Sequence, residues 1–133
     1  MGRIEIIHHW VTMAERDWAS VKLLFEGKQY VHTLFFCHLV IEKLLKAHWV
    51  KDNDETNPPR IHDLEAICMQ SDLDISVENL DLLRVMNAWN IEGRYQDFLD
   101  KFYRNTTASY TKLKVEQVDA LRQWLLSELQ NKE

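Results

Sequence analysis

Apolar residues recur every three or four positions along most of the chain, which is the spacing of one face of an α-helix. The first such stripe predicts a helix over about residues 7–26, with Gly27 as its natural end. Asp17 is the one charged residue inside this stripe. The second stripe predicts a helix over about residues 30–51, and the short link between the two stripes makes these helices antiparallel neighbours.

The rest of the chain divides at its turn and capping residues. Segment 52–59 is polar and contains both prolines, so it is predicted to be a loop. A short third helix is predicted over about residues 62–70. A fourth helix is predicted from a cap at Ser76 to about residue 91, followed by Gly93 as its end.

The C-terminal third is harder to interpret. Within residues 94–114, Phe98, Phe102 and Tyr103 fit either another helical turn or an ordered connection. Apolar residues at helical spacing then predict a last helix over about residues 114–130. These elements predict an all-α fold, an antiparallel bundle of four or five helices.

The second helix carries the strongest signal. Residues 36–49 are apolar over nearly the whole circumference of the helix, which is typical of a buried, central helix. Yet Glu42, Lys43 and Lys46 lie in its middle. Because an unpaired buried charge is very costly, these side chains must be paired or must face a cleft or a partner.

Length and composition indicate one ordinary globular domain over residues 1–133. Hydrophobic residues make up 46% of the chain and include five Trp and five Phe, so a substantial core can form. Three Gly and two Pro are too few for a many-stranded β fold. The net charge is −5 and there is no basic run, which argues against non-specific binding to duplex nucleic acid.

Cysteine usage and hydropathy indicate where the protein resides. Cys37 and Cys68 lie in apolar contexts without metal-ligand spacing, so we expect two buried, reduced thiols. The N-terminus has no targeting pattern, and no apolar run approaches the ~20 residues of a membrane-spanning helix. A cytoplasmic protein without a membrane partner is therefore predicted.

Three candidate residues lie on one ridge of the second helix. His38, Glu42 and Lys46 are spaced four residues apart. A row of imidazole, carboxylate and ammonium suits acid–base work, since the carboxylate orients the imidazole and the ammonium offers a docking charge for an anion. The same spacing also fits an ion pair at the rim of a helix interface, and both interpretations stay open.

Two further pairs of residues follow loops. His62 and Asp63 fit the start of a helix, with Asp63 complementing the helix dipole, or a contact to a ligand. Arg94 and Tyr95 follow a glycine, where a guanidinium and a phenol can clamp a phosphate and stack on a base. Alternatively, Arg94 closes a helix C-terminus and Tyr95 packs into the core. No metal site and no cofactor is predicted.

These residues resemble the motifs of the HEPN family. The resemblance rests on the Glu42-Lys43-x-Leu45-Lys46-Ala47 run, on the Pro-rich loop that ends in His62-Asp63-Leu64, and on Arg94-Tyr95. It implies a small helical bundle that forms a homodimer and binds a nucleotide or RNA. It also implies a minimal nucleotidyltransferase as partner, in some cases in a toxin–antitoxin pair.

Another HEPN branch consists of metal-independent RNases that use an Arg and a downstream His with four to six residues between them. The chain departs from this pattern. After Arg94, the corresponding positions are Leu99, Asp100 and Lys101, and no His occurs after His62. Without that imidazole the proton transfer has no agent, unless another base such as Glu42 replaces it.

The leading hypothesis is therefore a non-catalytic HEPN protein with no catalytic residue. Its cleft, lined by Glu42, Lys46, His62, Arg94 and Tyr95, would bind a nucleotide or a nucleotidyltransferase. The alternatives are an RNase toxin with a non-standard active site and a purely structural dimerisation module. A homodimer is also expected because five Trp and five Phe exceed what one small bundle covers.

Overall fold

The computed structural model describes residues 2–131, which form six helices joined by turns and loops. The helices are α1 (Arg3–Glu26), α2 (Tyr30–Asp52), α3 (Leu64–Met69), α4 (Val77–Asn87), α5 (Gln96–Asn105) and α6 (Ala108–Asn131). The all-α prediction is confirmed, and the described residues form one helix more than the four or five expected. The prediction of a single domain over 1–133 stays a prediction, and positions 1, 132 and 133 lie outside the described residues.

Helix α2 is the centre of the bundle, as its apolar circumference predicts. Nearly every residue from Val40 to Val50 is buried, and helices α1, α3, α4 and α6 all pack against α2. The core is built around its large side chains, among them Leu34, Ile41, Leu44 and Leu45.

Polar contacts fix α1 antiparallel to α2. At the start of α1, the Arg3 guanidinium donates to the carbonyl oxygens of Val50 and Asn53 at the C-terminal end of α2. Those carbonyls have no partner within the helix, and a cation there also complements the helix dipole. Near the middle of the pair, the Lys43 ammonium binds the Asp17 carboxylate. This ion pair explains the charge inside the apolar stripe of α1.

Helix α6 lies along α2 with the C-terminal halves of both helices together. The His48 ring hydrogen bonds the Leu125 carbonyl oxygen at 2.8 Å, and the Lys51 ammonium donates to the carbonyl oxygen of Glu128. The Arg122 guanidinium of α6 covers the Trp18 ring of α1 at 4.6 Å from the ring centre. These contacts join α6 to both α1 and α2.

Several predicted boundaries need correction. Helix α3 begins at Leu64, because Asp63 is its N-cap and accepts a hydrogen bond from the Ala66 amide. Helix α1 starts at Arg3, four residues before the predicted start, and α2 ends at Asp52. The Ser76 cap of α4 is confirmed by its hydrogen bond from the Asn79 amide.

The largest corrections concern the end of α4 and the segment after it. Helix α4 stops at Asn87 and not near residue 91, because the Asn90 side chain accepts from the Glu92 amide and turns the chain. Gly93, at φ +72°, lies in the link and not at the helix end. The segment after Arg94 contains a separate helix, α5, and α6 starts at Ala108, where the Thr107 hydroxyl accepts from the Tyr110 amide.

All five Trp and all five Phe are buried or half-buried in the bundle. The argument for a dimer from an excess of these aromatics is therefore not supported. The thiols of Cys37 and Cys68 are buried and unpaired, as expected. Burial raises the pKa of Cys37 to about 12 and also raises that of Cys68, so both thiols are poor nucleophiles. No helix within the described residues is long and apolar enough to cross a membrane.

Candidate functional site

The Glu42 carboxylate lies at the centre of a small polar cluster inside the bundle. The Lys46 ammonium is 3.1 Å from one carboxylate oxygen, and the His62 ring nitrogen Nδ1 is 3.0 Å from the other. The His38 Nδ1 lies 3.8 Å from that second oxygen. Glu42 and Lys46 are each only 6% exposed, so this is a buried ion pair. The predicted ridge of His38, Glu42 and Lys46 is confirmed.

His62 connects this buried cluster to the surface. Its Nδ1–H donates to Glu42, which leaves Nε2 as the hydrogen-bond acceptor of the ring. Its backbone carbonyl accepts from the Nε2–H of the buried His38 at 3.1 Å. The His62 side chain is nevertheless 56% exposed. The carboxylate therefore orients an imidazole that solvent and a ligand can reach.

The Lys46 ammonium also borders a small cavity. It lies 5.7 Å from the centre of the Trp10 ring, within the range of a cation–π contact. A cavity of about 240 Å³ is lined by Trp10, Lys46, Asn57, Pro58 and Arg60. The Pro-rich loop thus covers the buried cluster from the α1 side.

Asn87 ties the loop before α3 to the link after α4. Its side-chain oxygen accepts from the Leu64 amide at 2.9 Å, and its side-chain nitrogen donates to the Asp63 carboxylate at 3.1 Å. Its backbone carbonyl accepts from the Arg94 guanidinium at 3.4 Å. Hydrogen bonds made by Asn87 therefore connect the His62-Asp63 segment to Arg94.

Arg94 and Tyr95 are both exposed on this side of the bundle. Arg94 bonds the carbonyl of Asn87 at the end of α4 and that of Asn90, as the helix-closing interpretation expects. Its guanidinium also lies 4.4 Å from the centre of the Phe98 ring. Tyr95 precedes α5 and is 88% exposed, so the interpretation that it packs into the core is wrong.

Burial dominates the titration of His38. Loss of solvent lowers its pKa below the usual value, although the Glu42 carboxylate, the His62 carbonyl and the more distant Glu92 partly oppose this effect. The His62 ring lowers the pKa further. The His38 Nε2–H donates to the His62 carbonyl oxygen. The other ring nitrogen, the buried Nδ1, has no hydrogen-bond partner among residues 2–131. His38 therefore serves as a neutral donor that positions His62.

The structure brings together Glu42, Lys46 and His62, and places Arg94 and Tyr95 on the neighbouring link. Sequence reasoning missed Asn87 and Trp10. Asn87 is a polar residue at a helix end and Trp10 lies in an apolar stripe, and such local patterns do not identify a distant partner. Within the described part of the chain, no group of three or more His, Cys, Asp or Glu is arranged to hold a metal ion.

Comparison with known protein families identifies the bundle. The model of the HEPN domain matches residues 7–128, which is nearly the whole chain. The chain belongs to the HEPN domain family. The match spans every residue of the Glu42 cluster and both loops that carry His62 and Arg94. No curated protein and no solved structure gave a significant match to this HEPN chain.

We expect Glu42→Gln to lower the free energy of unfolding by about 3–5 kcal/mol, because it leaves the Lys46 ammonium buried without a counter-charge. Urea unfolding at neutral pH measures the change. Glu65→Gln is the matched control, since Glu65 pairs with Arg84 at the surface, where solvent screens the ion pair and its loss should have little effect. Equal effects of the two substitutions would contradict a buried, paired Glu42.

His38 makes stability depend on pH. Because its folded-state pKa is lowered, the unfolded chain binds more protons below the unfolded pKa of about 6.5. Stability is therefore fully present above that pH and is lost progressively as the pH falls below it. Urea unfolding between about pH 7.5 and about pH 5 should show a steeper loss for the wild type than for His38→Gln, which cannot titrate there. Parallel pH curves would contradict this assignment.

Proposed function

We propose that this HEPN protein binds a nucleotide, or one nucleotide unit of an RNA, at the surface formed by His62, Arg94 and Tyr95, here called the 62–94 face. Membership of the HEPN family supports a nucleotide- or RNA-related role at this coarse level. The observation that carries the proposal is the hydrogen-bonded connection of the two loops through Asp63 and Asn87. It holds an exposed imidazole and an exposed guanidinium on adjoining segments.

Each exposed group has a suitable role. The Arg94 guanidinium can bind a phosphate with two parallel hydrogen bonds, and its contact with the Phe98 ring limits its motion. The Tyr95 ring is free to stack on a base. The His62 Nε2 can accept a hydrogen bond from a ribose hydroxyl. Glu42, which holds the His62 ring, and its partner Lys46 are both buried, so they support a positioning role and not direct contact with the ligand.

The binding test compares two arginines in isothermal titration calorimetry with AMP, ATP and a short single-stranded RNA. We expect Arg94→Ala to abolish the heat signal because the phosphate contact is lost. The melting temperature should stay nearly unchanged, since Arg94 is exposed. Arg104→Ala is the control, because Arg104 is exposed and also bonds a backbone carbonyl, but lies near the other end of α5. A wild type without a heat signal for any of these compounds would refute nucleotide binding.

One observation favours RNA cleavage as a second candidate function. Although no His follows Arg94 in the required interval, His62 is connected to Arg94 through Asp63 and Asn87 and is oriented by Glu42. Such an imidazole can take a proton from a ribose 2′-hydroxyl, while a guanidinium stabilises charge at phosphorus. Incubation of the same RNA distinguishes the two functions: cleavage that is lost in His62→Gln and kept in His9→Gln supports an RNase, and intact RNA supports binding alone.

We also propose that the protein forms a homodimer and that a minimal nucleotidyltransferase is its partner. Family membership alone supports these two proposals, since the Trp and Phe side chains of the described residues are buried or half-buried. Light scattering at tens of micromolar should give about twice the chain mass of 15.9 kDa. A pull-down at native expression level should recover a nucleotidyltransferase in stoichiometric amount. A stable monomer in light scattering would remove the dimer, and a clean pull-down would remove the partner and favour a structural module.

A further inference from the structure

A second cleft lies between α4, α5 and the beginning of α6, away from the Glu42 cluster. Its cavity volume is about 510 Å³, which lies within the ~300–1,000 Å³ typical of pockets for small molecules. The walls include four aromatic side chains, those of Trp89, Phe98, Phe102 and Tyr110. Trp89 belongs to the core, whereas Tyr110 is 37% exposed. Aromatic walls on several sides favour a flat aromatic ring as the occupant.

Among the described residues, the two charged side chains that line this aromatic cleft are both positive. Arg84 and Lys101 line it, and neither Asp nor Glu is among its lining residues. Arg84 is engaged by the Glu65 carboxylate at 2.8 Å and has Asp81 nearby at 3.6 Å. Lys101 has no ion pair with any residue between 2 and 131. In a protein with net charge −5, a cleft of this composition is complementary to an anion.

Few polar groups are available for a sugar. The Thr106 hydroxyl already donates to the Phe102 carbonyl at 2.5 Å. That leaves the Asn105 amide, the Tyr110 hydroxyl and the indole N–H of the nearly buried Trp89 as the neutral polar side-chain groups of the lining. A ribose with several hydroxyls would bury polar groups without partners, which is costly. The cleft therefore favours a mostly apolar ligand with one anionic group over a nucleotide.

Helix α5 would gain contacts from such a ligand. None of its residues is fully buried, and Phe98 and Phe102 are only half-buried although their rings lie 6.0 Å apart on the cleft side. Covering this apolar surface removes it from water and thereby stabilises a bound ring. The amphipathic helix α5 thus presents its apolar face to the cleft.

We propose that this aromatic cleft is a binding site for a small aromatic acid, a carboxylate or a sulfonate. The ring lies among Trp89, Phe98, Phe102 and Tyr110, and the anionic group binds the Lys101 ammonium. None of the three residues of the 62–94 face lines the cleft, so failure of this proposal would leave the proposed function untouched.

Two fluorescent naphthylamines test this assignment with the full chain. The sulfonate 1-anilinonaphthalene-8-sulfonate and its uncharged analogue N-phenyl-1-naphthylamine differ by the anionic group alone. We expect one sulfonate molecule to bind per folded chain, and Lys101→Met to weaken it about two- to fivefold, as for a partly exposed ion pair. Binding of the uncharged analogue should not change. Lys112→Met, an exposed lysine of α6 outside the cleft, is the control.

A second test compares a variant that blocks the cleft with a control at an exposed residue outside it. Val85 is 40% exposed and lines the cleft, so Val85→Glu should fold and should weaken sulfonate binding roughly tenfold or more, because it adds a like charge. Leu113→Glu, at an exposed residue that does not line it, should have no effect. Three results would each overturn the proposal. They are absence of sulfonate binding, equal effects of Val85→Glu and Leu113→Glu on sulfonate binding, and displacement of the sulfonate by AMP.

Discussion

The buried carboxylate of Glu42 constrains much of the structure around it. A carboxylate in the middle of a central helix is tolerated only if cations and hydrogen-bond donors surround it, and Lys46 and His62 provide them. Lys46 comes from the same helix and is supplied by spacing alone. His62 comes from the next segment, so the loop that carries it must return to α2 before α3 can begin. The position of that loop is therefore fixed by electrostatics as well as by the packing of Ile61 and Leu64.

This constraint extends to the surface. With His62 held by Glu42, the neighbouring Asp63 caps α3 and reaches Asn87 at the end of α4. Asn87 in turn holds the link that carries Arg94. An exposed imidazole and an exposed guanidinium are thus positioned by buried or half-buried groups that a ligand need not contact. Such support limits the reorganisation that binding requires.

The two faces proposed for ligands differ in physical character. The 62–94 face is polar, and its groups are fixed by hydrogen bonds to backbone and side chains. The aromatic cleft between α4 and α5 is apolar with two basic lining residues, and one of its walls is a helix without a buried residue. Phe98 connects the two, since it contacts Arg94 and also lines the cleft. A ligand in the cleft would therefore restrict the helix that follows Tyr95.

The helical fold, the central place of α2 and the need to pair its charges follow from the sequence alone, because periodicity and the cost of buried charge are local properties. The sequence also indicated the cap at Ser76, where the side chain accepts a hydrogen bond from the backbone amide three residues on. Only the tertiary structure decided which distant groups meet: His62 with Glu42, Asn87 with Asp63, and Trp10 with Lys46. The physical reason is that such contacts depend on how each helix is rotated and where each loop returns, and neither is encoded in the spacing along one helix.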